Sequence, residues 1–565
     1  MKRLLHRLVQ SVKGYGTGYA RANQLGLRAL GLVYFVAFAS YLVQADGLVG
    51  ANGVLPFADW LRAIQPQVAE VGYWRIPTLL WLWPSDTALH VCLWAGLALA
   101  VALMAGLAPV PATAGLWALY LSVVVAGRTF WGFQWDNLLL EAGLLAVLAS
   151  PWRWRMRWRA PDDPPRLVVF LFHWLVFRLM FLSGYVKLAS RDAAWWDLTA
   201  LTYHYWTQPL PVWTAWYANL LPVWVQKFSC FVMFGIELGL PFFIWLGGRA
   251  RAFAAAAFVF LMLLIAATGN YTFFNLLTAL LCIWLVRDAW WNAVAVHLGR
   301  WKTRSSAFAE ATADSPPASG GVSSSGAPHP GPLPVGEGVG MLPLLGERGG
   351  VRAESSGAEG VDGKLSMGVP VWTRLTREWV WAPGLVIVGV SAVFFLGSLR
   401  VRVPWPGWVG GAVDRVAPFR SVNSYGLFAV MTKTRPEIVL EGTWDGERWF
   451  AYEFRWKPGD PGERPRWVAP HQPRLDWQMW FAALGTREGN PWLINLMVRL
   501  LQNEPDVLAL LLYNPFEQQP PVQVRAVRYD YRFTTRAERA ATGAWWAREY
   551  KDLYCPPFRL NPNAP

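Results

Sequence analysis

The chain has 565 residues, of which 54% are hydrophobic and only 16% charged, with a mean hydropathy of +0.25. Soluble domains carry nearer a quarter charged residues, so this composition argues against a wholly water-soluble protein. The formal net charge is +14, but the excess sits beside apolar runs, with no zinc-finger spacing and no Gly-rich basic tail, which argues against nucleic acid as a partner.

Residues 1–26 are basic and polar (Lys2, Arg3, Arg7, Lys13, Arg21). No small-residue cleavage site follows the first apolar run, so this segment reads as a cytoplasmic N-terminus rather than a cleaved leader. Apolar runs follow at 27–44, 87–107, 110–126, 136–150, 167–187, 223–246, 252–268, 272–287 and 379–397. A spanning helix needs about 20 apolar residues. Residues 27–299 are therefore expected to form a multi-pass membrane domain of about eight spans, with 375–399 as a last transmembrane helix. The runs at 110–126, 136–150 and 272–287 are short for a span.

Arginine placement predicts the orientation. If the basic N-terminus is cytoplasmic, alternation puts 151–166 inside, and that loop holds Arg153, Arg155, Arg157 and Arg159. The next inside loops hold Arg249 and Arg251, then Arg287, Arg300, Lys302 and Arg304. Residues 45–86 and 188–222 then face outside, and the dense aromatics of the second are expected to dock the C-terminal region. Residues 300–374 are rich in Gly, Pro and Ser and read as a disordered cytoplasmic linker. This stretch resembles a translated intergenic repeat of bacterial genomes. The expected location is a bacterial inner membrane, with residues 400–565 in the periplasm.

Residues 400–565 read as an α+β soluble domain, a β-rich sandwich or barrel with packed helices. EIVLEGTW, RWFAYEFRW and VQVRAVRYDYRF alternate like strands, and WDGERW suits a hairpin. LDWQMWFAAL and PWLINLMVRLLQNEPDVLALLLYNPF carry helical spacing, the second broken at Pro505.

Cys92, Cys230 and Cys282 lie in apolar runs, and Cys555 stands alone outside them. The chain has no CxxC, so neither a disulfide framework nor a dithiol redox motif is expected. It also lacks a GxSxG elbow, a P-loop, an HExxH and a dinucleotide fingerprint. No cofactor is expected, and no second His or Cys stands near His204 at metal-ligand spacing.

Several long segments resemble the lipase maturation factor family. They are NSYGLFAVMTKTRPEIVLEGTWDGERW, YEFRWKPGDPGERPRWVAPHQPRLDWQMWFAAL, the NPF at Asn514–Phe516 and the ending WWAREY…YCPPF. In the apolar half, FRLMFLSGYVKLASRDAAWWDLTALTYHYWTQPLP and TGNYTFFNLLT resemble the same family. The resemblance implies a membrane-anchored folding factor that helps exported proteins mature, homodimeric lipases among them. In eukaryotic members the C-terminal domain faces the endoplasmic reticulum lumen. The helical part is more distantly similar to the membrane domain of vitamin K-dependent carboxylases, which implies a membrane enzyme as the alternative.

Ionisable residues inside spans are costly and mark candidate sites. His173, Arg178, Glu141 and Glu237 lie in spans, and Arg178 with Glu237 suggests a buried pair. Lys187 stands at the end of its span, where it can snorkel to the interface. His204 lies among Tyr203, Tyr205 and Trp206. For the enzyme alternative, Arg178, Lys187, His204 and Glu237 are the candidate catalytic residues. For a client surface the candidates are Tyr425, Arg474, Asp476, Trp477, Trp480, Asn514 and Phe516, with core packing as the plainer reading and Arg474–Asp476 as a bracing charge pair.

Overall fold

The computed structural model describes residues 16–293 and 379–560. The first 15 residues and the expected 300–374 linker lie outside the described residues. In chain order the helical region comprises α1 (Ala20–Leu42), α2 (Phe57–Val71), α3 (Asp86–Ala105), α4 (Pro109–Ala126), α5 (Gln134–Ala149), α6 (Arg166–Ala189), α7 (Val223–Leu246), α8 (Gly248–Thr268), α9 (Phe274–Leu285) and α10 (Trp381–Ser398). Among the described residues, seven helices are long and apolar enough to cross a membrane: α1, α3, α4, α6, α7, α8 and α10. The runs expected at 136–150 and 272–287 become the shorter α5 and α9. At 1.5 Å per residue, the 16 residues of α5 reach only about 24 Å, short of a core about 30 Å thick.

Local chemistry sets the helix ends. The Ser85 side chain accepts from the Ala88 N–H to cap α3, and Gly106 closes it in the left-handed conformation (φ 77°). Small residues let helices approach: a Cβ on Gly96 would stand 2.6 Å from the Phe38 ring of α1. Within α7, residues Gly235–Gly239 form a π turn. Such single-turn widenings recur at functional positions.

The mixed region carries α11 (Gly407–Val416), β1 (Pro436–Thr443), β2 (Phe450–Ala451), β3 (Glu453–Phe454), α12 (Arg474–Leu484), α13 (Pro491–Leu501), β4 (Leu511–Tyr513), β5 (Gln523–Phe533) and β6 (Trp546–Phe558). The sheet is four-stranded and antiparallel, in the order β2-β1-β5-β6, and β3 pairs separately with β4. The α+β class holds, but the sheet is open rather than a barrel or sandwich. Helices α12 and α13 pack on β1 and β5, so helices rather than a second sheet bury the apolar face. The expected hairpin joins β1 to β2, with Asp445 Oδ1 accepting from the Glu447 and Arg448 N–H groups. The break at Pro505 also appears: it opens a separate turn of helix, Pro505–Leu508. Strand β6 was not anticipated. Its centre, Arg548–Lys551, is polar and exposed, as suits an edge strand.

The 188–222 segment folds into short helices, Ala193–Trp196, Leu201–Thr207 and Trp213–Asn219. Tyr205 and Trp216 pack with Tyr531, Phe533, Trp545 and Trp546 of the mixed region. The expected docking through this segment is present, but it is one contact among several.

Candidate functional site

A seam of buried charge runs between the helical and mixed regions. In α5, Asp136 lies in the first turn and is fully buried. Arg474, at the start of α12, grips both its oxygens at 2.9 Å and donates to the Phe130 carbonyl at 2.9 Å. Tyr120 donates to the same carboxylate at 2.5 Å. The Arg474 guanidinium lies 3.6 Å above the Trp131 ring. Such bidentate geometry is the strongest form of the arginine–carboxylate bond.

Five residues further along α5, Glu141 is equally buried and pairs with Arg178 of α6. Its other oxygen accepts from the Asn423 N–H at 3.0 Å and from Tyr425 Oη at 2.6 Å. Arg178 also donates to the Asn423 carbonyl at 2.7 Å. Both helices are thus tied to the 423–425 segment.

Arg435 donates to the carbonyls of Trp206, Gln208 and Pro209 in the 188–222 segment. It pairs with Glu437 at 2.8 Å, and Glu437 with Lys457 at 3.2 Å. Asn270, in the turn between α8 and α9, accepts from the Val468 and Ala469 N–H groups at 2.9 and 3.0 Å and donates to the Arg466 carbonyl at 2.9 Å. Ser40 and Gln44 of α1 and its C-terminal end take Gln472 and Arg474. A buried charge is tolerated only when paired, and each of these charges has an ion-pair partner.

The sequence candidates are redistributed. Arg178 pairs with Glu141, not Glu237. Glu237 lies in the π turn and takes Lys187 at 2.7 Å. Lys187 therefore does not snorkel; it is 4% exposed. Gly184 admits Glu237 to α6, where a Cβ would stand 2.9 Å from the Glu237 Cβ. Arg178 and Lys187 stand nine residues apart on one helix, about 13 Å along its axis, so the four residues considered for catalysis do not converge. His204 feels the Lys187 charge, and its Nε2 meets Tyr271 Oη at 3.2 Å. Burial, with the Lys187 charge adding to it, pushes the His204 imidazole down to about 4. His173 meets the Trp284 carbonyl at 2.8 Å.

The client-surface candidates are mostly interior. Tyr425, Arg474, Asp476, Trp477, Trp480 and Phe516 are buried, and Asn514 is half-buried. Of the two readings open for Trp477 and Trp480, the structure takes core packing: Trp477 packs 4.8 Å from the Trp135 ring and Trp480 donates to the Thr207 carbonyl. Arg474 and Asp476 are not a pair. Asp476 accepts from the Trp456 and Lys457 N–H groups at 2.9 and 3.0 Å. Burial pushes its carboxyl up to about 6 against those bonds and the Lys457 charge. Asp136, Arg435, Glu437 and Lys457 were missed, and Gly269-Asn270 reads in the sequence only as a turn. An acid in an apolar run marks Asp136 in the sequence, whereas Arg435 with Glu437 carries no such local signal.

Residues 21–293 match the lipase maturation factor transmembrane domain, and residues 421–556 match the lipase maturation factor C-terminal domain. This chain belongs to the lipase maturation factor family. Lipase maturation factor 2 of Gallus gallus is 38% identical over 95% of this chain and 81% of that protein. Lipase maturation factor 2 of Homo sapiens is 38% identical over 95% of the chain and 82% of its own length. Lipase maturation factor 1 of Homo sapiens is 32% identical over 94% of the chain and 87% of its own. No solved structure matches the chain. The buried seam joins the two regions that define a lipase maturation factor, and several of its residues (Asp136, Glu141, Arg178, Arg435, Arg474) lie inside the matched spans.

Proposed function

We propose that this chain is a membrane-anchored maturation factor that assists the folding or assembly of exported proteins, lipases being the client class its relatives are named for. The observation that carries the reading is the family match over both regions. The seam supports it, because a platform for folding chains has to keep its two parts in fixed register. Arginine-rich loops at 153–159, 249–251 and 287 support a cytoplasmic N-terminus and an extracytoplasmic mixed region, with the short α5 and α9 returning the chain: the Ala108 N–H donates to the Trp154 carbonyl and the Met156 N–H to the Gly106 carbonyl, which sets the 153–159 loop beside the α3–α4 turn. The repeat-like linker supports a bacterial inner membrane, with the mixed region in the periplasm.

The client surface is a patch on the sheet edge at β2. Trp444, Phe450 and Val522 are 40%, 40% and 49% exposed. The Trp444 and Phe450 rings stand 5.4 Å apart, and the Val522 N–H donates to the Thr443 carbonyl, which sets Val522 beside them. Buried Phe516 forms the floor, 4.6 Å from Trp444, and Asn514 fixes it by accepting from its N–H at 2.9 Å. Contiguous exposed apolar groups mark interaction sites, and transient cover of a client's apolar surface suppresses its aggregation.

The test is co-expression of the full chain with an exported homodimeric lipase, reading the specific activity of the recovered lipase. Trp444→Ser with Phe450→Ser should lower that activity roughly tenfold, equivalent to losing about 1.4 kcal/mol of client binding. The variant's level and melting temperature should stay unchanged. Lipase activity indifferent to the wild-type chain would remove the function, and activity indifferent to the variant would remove the patch. A phosphatase fused after Pro565 should be active on the extracytoplasmic side, and cytosolic reporter activity there would reverse the orientation.

A further inference from the structure

A cleft of about 430 Å³ opens where α2, the end of α4 and the 417–420 turn meet, lined by Trp60, Arg75, Ile76, Arg128, Pro418 and Arg420 among others. Three guanidiniums share it. Among the described residues none of the three makes an ion pair. Arg128 lies over the Trp60 ring at 5.1 Å and Arg75 over Trp74 at 4.5 Å. The carboxylate whose charge acts on Arg420 is Asp136, and Arg474 already holds both its oxygens. Burial holds the Arg128 and Arg420 guanidiniums below their ordinary values, so both are cations with part of their water removed and no anion supplied.

The backbone is committed to this arrangement. Arg128 and Arg420 both sit in the left-handed region, φ 49° and 50°, where a Cβ-bearing residue is disfavoured. Strain of this kind persists where the surroundings over-determine it and clusters at binding sites. The turns are braced: Trp117 donates to Ser421 Oγ at 2.8 Å and lies parallel to the Phe419 ring.

The position supplies the ligand class. Helix α4 has 18 residues, about 27 Å of rise against a hydrocarbon core about 30 Å thick. Arg128 follows two residues after its end, at headgroup depth. The neighbouring 72–85 segment exposes Tyr73, Trp74, Leu79, Leu82 and Trp83, and Tyr and Trp belong at the same depth. We propose that Arg75, Arg128 and Arg420 form a phosphate-binding site that holds the headgroup of an anionic phospholipid at the outer end of α4. Guanidinium forks match phosphate geometry and stay charged at every physiological pH.

The test uses the full chain purified in detergent. Dioleoylphosphatidylglycerol and dioleoylphosphatidylcholine are titrated separately and retained lipid is read by native mass spectrometry. Inorganic phosphate is added in a parallel thermal-unfolding series. The wild type should retain phosphatidylglycerol in preference to phosphatidylcholine. Arg128→Gln with Arg420→Gln should weaken that retention about tenfold. Arg62→Gln, whose arginine is paired to Asp59 on the exposed side of α2, should retain lipid as the wild type does. Should the double variant fail to fold, Arg75→Gln, an exposed position, supplies the same reading with a smaller loss. Undiminished retention in the folded variants overturns the proposal. Protection by inorganic phosphate that the variants lose, without any preference for phosphatidylglycerol, keeps the phosphate site and overturns the lipid as its source.

Discussion

Arg474 answers three needs at once: it neutralises Asp136, satisfies the Phe130 carbonyl and covers the Trp131 ring. Removing one partner of a buried pair leaves an uncompensated charge, at a cost of about 3–5 kcal/mol, whereas replacing both by apolar groups is often neutral. Arg474→Met should therefore destabilise the protein by about that amount in denaturant titration in detergent, and Asp136→Leu with Arg474→Met by much less. Equal losses in the single and double variants would mean the pair contributes nothing beyond packing. Half of this pair was legible. Asp136 is an acid next to an apolar run, and Arg474 was singled out, but a partner 338 positions away leaves no mark in local sequence, so Asp476 was taken instead.

At the scale of elements, the 466–474 segment is the pin of the structure. It is held by Asn270 on one side and by Ser40 and Gln44 on the other. His471 Nδ1 meets Ser40 Oγ at 2.9 Å. Burial, with the Arg474 charge adding, lowers the His471 imidazole to about 4. An unfolded histidine protonates near 6.5, so between those values the unfolded chain binds more protons. The stability from neutral His471 is intact above pH 6.5 and is lost as pH falls towards about 4. Asp476 runs the other way: its carboxyl, raised to about 6, takes a proton in the folded state first, which relieves part of its burial cost below pH 6. His471→Asn should accordingly show a smaller drop in melting temperature between pH 7 and pH 5 than the wild type. Parallel curves for the two proteins would remove His471 from the acid response. The strands were legible from alternation in β1 and β5. Strand β6 was not, because its exposed centre, Arg548–Lys551, shows no apolar period and its pairing with β5 is decided only when the sheet assembles.

At the scale of the whole molecule, the two regions are interlocked rather than tethered. Arg435 reaches three carbonyls of the 188–222 segment, Trp216 donates to the Thr534 carbonyl, and Asp136, Glu141 and Asn270 each hold the mixed region. Residues 400–565 expressed alone would expose buried Arg474 and Trp477 without their partners. That fragment should lack the near-UV circular dichroism of a packed fold and should aggregate. A soluble fragment with a cooperative melt would show instead that the seam adds little to the mixed region's stability.

The sequence by itself determined the membrane character, the α+β class of the C-terminal region, and the family. Those rest on apolar run length, local alternation and contiguous motifs, all of which are short-range along the chain. Only the tertiary structure decided which charges pair: Arg178 with Glu141, Lys187 with Glu237, Arg474 with Asp136. The choice among several buried acids and bases depends on which helix faces meet, and that is a property of the folded arrangement rather than of spacing. The same reason decided the tryptophans of α12, which the sequence left open between core and client surface, as the wall that joins the two regions.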